Sequence, residues 1–183
     1  MRAAATAFVR AGFDGTSMED VAREAGVTRL IVYRIFESKE ELYRAVLETV
    51  AGRLVEVFGE SPPADGERPL PVAAMLLEVA REDPDGFRLL WRHAAHEAAF
   101  AELASVFRSG TTEYAVALIG PLVADPTMRR WAAGAIVAYL YDGICSWLDT
   151  GPSARDEEFA QLLTRGVRGL VGAWTEAPAR VTS

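Results

Sequence analysis

The chain has 183 residues, half of them hydrophobic, and a formal net charge of −7 at pH 7. This length is enough to bury a sizeable core, as one domain or as a small domain joined to a larger one. The apolar runs are far too short to span a membrane, and the single cysteine, Cys145, excludes an internal disulfide framework and a cysteine-rich zinc site. The opening residues are too short and too interrupted by arginine for a signal peptide, so a cytoplasmic location is expected.

The first predicted helix covers residues 1–12 and ends at Gly12, with Phe8 among its core-facing residues. Residues 17–36 then follow the pattern of two short helices joined by a tight turn. Ser17 is placed to cap the first of these, with Asp20 completing a capping box. Gly26 tolerates the left-handed backbone of the turn, and Thr28 is placed to cap a second helix running to about residue 36.

In that second helix, Val27, Val32 and Phe36 fall on one side and are predicted to be core. The remaining positions project away from this face. The region as a whole is close to neutral, because residues 1–50 hold seven basic and eight acidic side chains, whereas DNA-binding domains are usually basic.

This region contains an ordered series of positions made up of Gly12 to Ser17, Val21, Ala22, Ala25 to Val27, Tyr33, Phe36 and Ser38 to Leu42. The series resembles the DNA-binding domain of TetR-family transcriptional regulators. The resemblance covers about the first quarter of the chain, and the remainder is similar to the family only in being helical and of the right length. It implies an all-α fold, with an N-terminal three-helix helix-turn-helix DNA-binding domain over residues 1–48 and a helical effector-binding and dimerisation domain over residues 49–183.

The resemblance also implies which side chains contact an operator in double-stranded DNA. Arginine can read guanine through two parallel hydrogen bonds, and tyrosine can donate to a phosphate. A lysine at a helix N-terminus is unfavourable with the helix dipole unless it helps to bind a phosphate there. For either arginine of the second helix alone, the simpler interpretation is a solvated helix face. The implied contacts are Ser17, Thr28, Arg29, Leu30, Tyr33, Arg34 and Lys39.

Two departures from the family pattern bear on these assignments. Leu30, Ile31 and Ile35 are aliphatic where small, hydroxyl-bearing or aromatic residues are usual, so fewer hydrogen bonds to DNA and more dependence on DNA shape are expected. The family normally has about two further helical turns before the first helix. Either translation begins upstream of Met1 or this contact is shortened.

The rest of the chain also has helical patterns. Ser38 opens a connector helix with a second capping box, and the helix runs to about residue 58. Residues 59–71, which hold four prolines, are predicted to be a loop, and residues 175–183 a frayed tail. Between them, helices are predicted over residues 71–82, from Asp83-Pro84 through Trp91, over residues 100–122 with an interruption at Gly110, from Asp125-Pro126 to about 149, and over residues 156–174.

Aromatic side chains of the C-terminal part could line a cavity for a small hydrophobic or aromatic effector, as the resemblance implies. For each of them alone, packing in the core is the simpler interpretation. The candidate ligand-binding residues are Trp91, Phe107, Tyr114, Trp131 and Tyr139.

The last two helices are more apolar than the surface of a monomer. The two alternatives are a four-helix contact between two chains, which is how the resembled family forms homodimers, and an internal core. The candidate dimerisation residues are Ile136, Leu140, Trp147, Leu163, Val167, Leu170 and Trp174.

The sequence contains no recognisable catalytic motif, and we expect neither an enzyme nor a cofactor or metal. His93, His96 and Glu97 could share one helix face, but two histidines and one acid fall one ligand short of a usual zinc site. Three functions therefore remain, in order of preference. The first is a homodimeric repressor released from a palindromic operator by a small ligand. The second is a sensor or interaction protein of the same fold with weak or lost operator binding, and the third is a helical enzyme using these three side chains.

Overall fold

The computed structural model describes residues 1–59 and 71–175. Within these ranges the secondary structure is helical without any strand, which confirms the predicted all-α fold. The predicted tail lies almost wholly outside the described residues, and so does the predicted loop. The helices are α1 (Arg2–Ala11), α2 (Met18–Glu24), α3 (Arg29–Ile35), α4 (Lys39–Phe58), α5 (Val72–Glu82), α6 (Pro84–Arg88), α7 (Ala101–Ile119), α8 (Pro126–Thr150) and α9 (Asp156–Thr175).

The predicted helix starts at the two Asp-Pro pairs are confirmed. Asp83 accepts a hydrogen bond from the backbone N–H of Gly86 at 3.0 Å, and Asp125 accepts one from Met128 at 2.8 Å. In each case proline follows as the first helical residue, where its missing N–H costs nothing.

Two helix predictions were wrong in detail. The helix starting at Pro84 loosens after Arg88 into a π turn, Leu89–His93, and then a 3₁₀ turn, Ala94–His96. By contrast, α7 passes through Gly110 without a break. A single glycine costs a helix only about 1 kcal/mol relative to alanine, which a helix of five turns tolerates.

Residue contacts divide the described chain into two compact units: residues 1–59 with 78–108, and residues 71–77 with 109–175. In the first unit, α1 packs against α2, α4 and α6, and α3 contacts α2. Its core is rich in aromatic rings, since Phe8, Tyr43, Phe87 and Phe100 are almost completely buried. The functional boundary that the sequence predicts at residue 48 falls within α4 and stays a prediction.

The second unit is built on the pairing of α8 with α9. Trp147 of α8 stacks on Phe159 at 4.4 Å between ring centroids and donates a hydrogen bond of 2.7 Å to Asp156. The helices approach closely at Gly166, because any side chain there would collide with the hydroxyl of Tyr139.

Candidate nucleic-acid interface

Two local devices shape the α2-turn-α3 segment. Ser17 caps α2 as predicted: its side chain accepts from the backbone N–H of Asp20, and the Asp20 carboxylate accepts from the backbone N–H of Ser17 at 3.0 Å. Gly26 has a φ of 66°, which only glycine adopts readily, and it turns the chain so that Val27 N–H donates to the carbonyl of Ala22. Thr28 is extended as expected of an N-cap residue, but its side chain makes no capping hydrogen bond.

The capping carboxylate of Asp20 stays ionised to low pH. Hydrogen bonds from Ser17, and a further one from Arg23, lower the pKa of Asp20 to about 2. Because a carboxylate with a depressed pKa stabilises the fold only while ionised, the capping box holds at neutral pH and weakens as pH falls towards 2.

Val32 is the one residue of helix α3 that is buried. Val32 is 6% exposed, whereas Leu30 is 74% and Ile35 63% exposed. Val27, predicted as core, is 38% exposed. Such large exposed aliphatic groups on a short helix, beside Arg29 and Arg34, are typical of a surface that contacts another molecule.

The two arginines of α3 lie in different environments. Arg29 forms an ion pair with Glu19 of α2, and its guanidinium lies 4.8 Å from the ring centroid of Tyr33. Arg34 is exposed, and within residues 1–59 and 71–175 it has no hydrogen bond or ion pair. Arg34 is thus available to an anionic partner without any rearrangement, whereas Arg29 must first leave Glu19.

Lys39, the only lysine of the chain, is engaged inside the first unit. Its ammonium donates to the carbonyl of Phe13 at 2.7 Å and lies 4.3 Å from the centroid of the same ring. This contact ties the start of α4 to the loop between α1 and α2. A lysine at this helix start therefore has a structural reason, and its predicted phosphate contact stays a prediction.

The second capping box differs from the prediction in one partner. Ser38 accepts from the backbone N–H of Glu41 at 3.0 Å, as expected. The Glu41 carboxylate, however, accepts from the backbone N–H of Glu37 at 2.6 Å, one residue before the cap. The Ser38 side chain thus satisfies one N–H group at the start of α4, and the Glu41 carboxylate satisfies the N–H group of Glu37 just before the helix.

Most of the remaining charges near α2 are paired as well. Arg10 is 2.8 Å from Glu24, and Arg23 pairs with Asp20. Together with the ion pair of Arg29, these contacts leave the described surface around the motif with few unpaired positive charges. The near-neutral balance seen in the sequence therefore persists at the surface.

The candidate effector residues belong to both units. Trp91 and Phe107 belong to the first unit, and the other three to the second. Trp91 is 4% exposed, beneath the guanidinium of Arg108. Of the five candidates, Trp131 lines a hollow of about 650 Å³ in the second unit. The other residues around this hollow are Val116, Pro126, Thr127, Arg129 and Arg130.

The candidate dimerisation residues divide into three buried and four half-buried side chains. Ile136, Leu140 and Leu163 are already buried within the single chain and belong to its core. Trp147 stacks on the ring of Phe159, and Trp174 packs edge-on against the ring of Trp131. The half-buried members Val167, Leu170 and Trp174 lie on α9 beside more exposed apolar side chains.

The histidine cluster offers little as a metal site. His93 ends the π turn and is half-buried, His96 is exposed, and no group of three potential metal ligands occurs in the described parts of the chain. Burial, with the nearby charges of Arg92 and His96, lowers the pKa of His93.

No helix among residues 1–59 and 71–175 is both long enough and apolar enough to cross a membrane.

Sequence reasoning missed the pair formed by Glu19 and Arg29. The two residues are ten positions apart on different helices, so no periodic pattern connects them. The sequence shows only that the two residues have opposite charges and lie near the starts of α2 and α3. Without the geometry of the turn, these charges do not indicate which acidic residue pairs with Arg29.

Comparison with known proteins agrees with this geometry. Residues 1–46 match the family model described as bacterial regulatory proteins, tetR family. The chain is 47% identical over 49 residues to the HTH-type transcriptional regulator YfiR of Bacillus subtilis, a match covering 27% of this chain and 24% of that protein. It is 35% identical over 95 residues to the HTH-type transcriptional regulator RutR of Escherichia coli, covering 49% and 43%. The chain thus spans less than half the length of these curated relatives.

Solved structures extend the likeness to the fold of nearly the whole chain. The TetR family transcriptional regulator PfmR from Thermus thermophilus superposes with a TM-score of 0.71 at 19% identity, over 91% of this chain and 96% of that one. NalD of Pseudomonas aeruginosa, described as the secondary repressor of a multidrug efflux pump, has a TM-score of 0.61 at 24% identity, over 90% and 92%. Residues 1–46 therefore match the tetR family of bacterial regulatory proteins, and the chain has the all-helical fold of solved regulators of that family.

Proposed function

We propose that the chain is a homodimeric transcriptional repressor that binds a palindromic operator through α3 and is released by a small hydrophobic or aromatic ligand. The observation that carries the DNA-binding part is the exposure of α3, whose one buried residue is Val32. The faces it presents hold Arg29, Tyr33 and Arg34, side chains able to contact base edges and phosphates.

Dimerisation is supported by the surface that α8 and α9 leave uncovered. Leu162 and Gly169, seven residues apart, lie on the same exposed side of α9, and Leu162 is 56% exposed. A side chain at Gly169 or Gly172 would meet no atom within 4 Å, so both glycines leave room for another helix. A two-fold contact here would cover these residues and set the spacing of two α3 helices.

Release by a ligand is a population shift, limited by the ligand's differential affinity for the DNA-competent and incompetent dimers. The hollow beside Trp131 has a volume within the range of small-molecule sites and an aromatic wall. The five predicted aromatic residues stay candidates, of which Trp131 lines this hollow.

The direct experiment is a binding titration against DNA upstream of the protein's own gene at two salt concentrations, with Arg34→Ala beside the wild type. Arg34 has no partner to lose in the described residues, so its removal should weaken binding about tenfold or more without altering the fold. Binding should also weaken with salt, because phosphate contacts release counterions.

Arg155→Ala is the matched control. It makes the same change in net charge, but Arg155 lies in a 3₁₀ turn of the second unit, paired with Glu158 at 2.8 Å. Equal losses in the two variants would show that net charge, and not α3, governs binding.

One observation favours a second candidate, a sensor or interaction protein of the same fold. The exposed part of α3 contains Leu30 and Ile35, which donate no hydrogen bond to DNA and suit a protein partner as well. The same titration separates the two: salt-dependent binding at nanomolar to micromolar concentration excludes this candidate, and no binding at low salt favours it.

A further inference from the structure

The ion pair between Arg29 and Glu19 joins the two helices of the motif. Arg29 is the first residue of α3, and Glu19 is the second residue of α2. On its other side the Arg29 guanidinium packs over the Tyr33 ring and lies 3.5 Å from the Tyr33 hydroxyl. The free protein thus holds this arginine from two directions within its own surface.

We propose that Glu19 is an acidic clamp on Arg29 that lowers the affinity of α3 for DNA of arbitrary sequence. The inference rests on the proposed DNA-binding function, and it adds a residue that acts against binding. Glu19 acts in two ways: it competes with phosphate for the Arg29 guanidinium, and its own negative charge repels the DNA backbone when Arg29 leaves.

Both partners are open to solvent, which makes the clamp reversible. The Arg29 side chain is 62% exposed and that of Glu19 is 45% exposed. Exposed ion pairs are weak, so opening this one changes an equilibrium by only about fivefold or less. The clamp is therefore strong enough to be measured, yet weak enough to yield to a good DNA contact.

The Arg29 guanidinium can leave the clamp for either of two partners in DNA. Arginine has five N–H donors in a rigid fork, and a guanine base or a backbone phosphate can engage two of them in parallel. Opening the ion pair with Glu19 costs the same free energy in both cases. Glu19 should therefore weaken binding to arbitrary sequence as well as binding to a site with guanine opposite Arg29.

Glu24 provides a matched control on the same helix. It forms an ion pair of 2.8 Å with Arg10, whose side chain is 57% exposed, so Glu24→Gln removes one charge and opens one exposed pair. Its partner belongs to α1 and not to α3. Any difference between Glu19→Gln and Glu24→Gln therefore reports on Arg29.

The experiment titrates the full chain with a duplex of about 30 base pairs of mixed sequence at several salt concentrations. Glu19→Gln should bind this duplex about three- to tenfold more tightly than wild type, a gain at least twice that of Glu24→Gln. The slope of log K against log salt should steepen by about 0.9, the contribution of one further phosphate contact. In an Arg29→Gln background the advantage of Glu19→Gln over Glu24→Gln should disappear.

Glu19 also lies in the first turn of α2, where its charge favours the helix, so thermal melting of each variant is measured alongside. Glu19→Asp retains that charge with a shorter reach to Arg29. It should still bind the duplex more tightly than wild type, although by less than Glu19→Gln.

Other outcomes overturn the clamp in distinguishable ways. Equal gains from Glu19→Gln and Glu24→Gln would reduce the effect to net charge. Weaker binding by Glu19→Gln would mean that Glu19 itself contacts DNA, for example by accepting from the N4 amino group of cytosine. Wild-type binding with no change in Glu19→Gln would overturn the clamp alone, whereas no binding by any variant would overturn the proposed function as well.

Discussion

At the scale of single residues, Lys39 has a partner in the folded chain that differs from the one predicted for it. From the sequence, its ammonium is predicted to contact a DNA phosphate, because a lysine at a helix N-terminus is unfavourable without an anionic partner. In the folded chain the ammonium has the Phe13 carbonyl and the Phe13 ring as partners. The free protein therefore uses Lys39 for stability, whether or not DNA also uses it.

We predict that Lys39→Met lowers the free energy of unfolding by about 1 kcal/mol in the absence of DNA. The variant retains much of the apolar stem but loses a charged hydrogen bond and a cation–π contact. Urea unfolding followed by circular dichroism measures this change directly.

Arg44→Met is the control for that measurement. Arg44 lies on the same helix, and its guanidinium is 5.8 Å from the centroid of Phe100, a looser contact over an aromatic ring. Its replacement should cost clearly less than that of Lys39. An unchanged midpoint for Lys39→Met would contradict a structural role for Lys39.

At the scale of helices, the predictions that succeeded depend on short stretches of sequence. The caps at Ser17, Asp83 and Asp125 formed as expected, because a cap and the N–H group it accepts from are three residues apart. The π turn after Arg88 and the exposure of Val27 were not predicted. Both depend on how one helix meets another, which periodicity within a helix does not record.

The α8 and α9 pair shows the same limit. The sequence showed correctly that these helices are too apolar to be solvated on all sides, but it could not assign each residue to the inner or outer face. Leu163 turned out to be core, packed where Gly143 leaves room, since a Cβ there would lie 3.1 Å from Leu163. Leu162, its neighbour, faces outward.

We predict that Gly169→Leu weakens the homodimer at least about tenfold while leaving the protomer folded. No atom lies within 4 Å of the added Cβ, and replacing a helical glycine favours the helix by up to about 1 kcal/mol. Any loss must then arise between chains. Sedimentation velocity over a range of protein concentrations measures the dimer dissociation constant.

Gly52→Leu serves as the comparison, because Gly52 lies on α4 with equally open space around it. The dimer dissociation constant of Gly52→Leu should equal that of the wild type. If Gly169→Leu dimerised as tightly as Gly52→Leu, the contact between chains would have to lie elsewhere.

At the scale of the whole molecule, the sequence predicts the fold class and the position of the helix-turn-helix motif, whereas its candidate effector residues stay a prediction. The motif is readable because its turn and caps are local, as at Ser17 and Gly26. An effector site depends on side chains brought together from distant positions, and Trp91 and Trp131 turned out to lie in different units.

The proposed repressor places the two α3 helices of a dimer against guanine bases in successive major grooves. Protection of the bound upstream DNA from dimethyl sulfate measures this contact, because the reagent methylates guanine N7 in the major groove and adenine N3 in the minor groove. We expect two clusters of protected guanines separated by about one helical turn, or a multiple of it, which Arg34→Ala exposes again. Protection confined to adenines, or a single cluster unaffected by Arg34→Ala, would contradict the reading of guanine by two α3 helices.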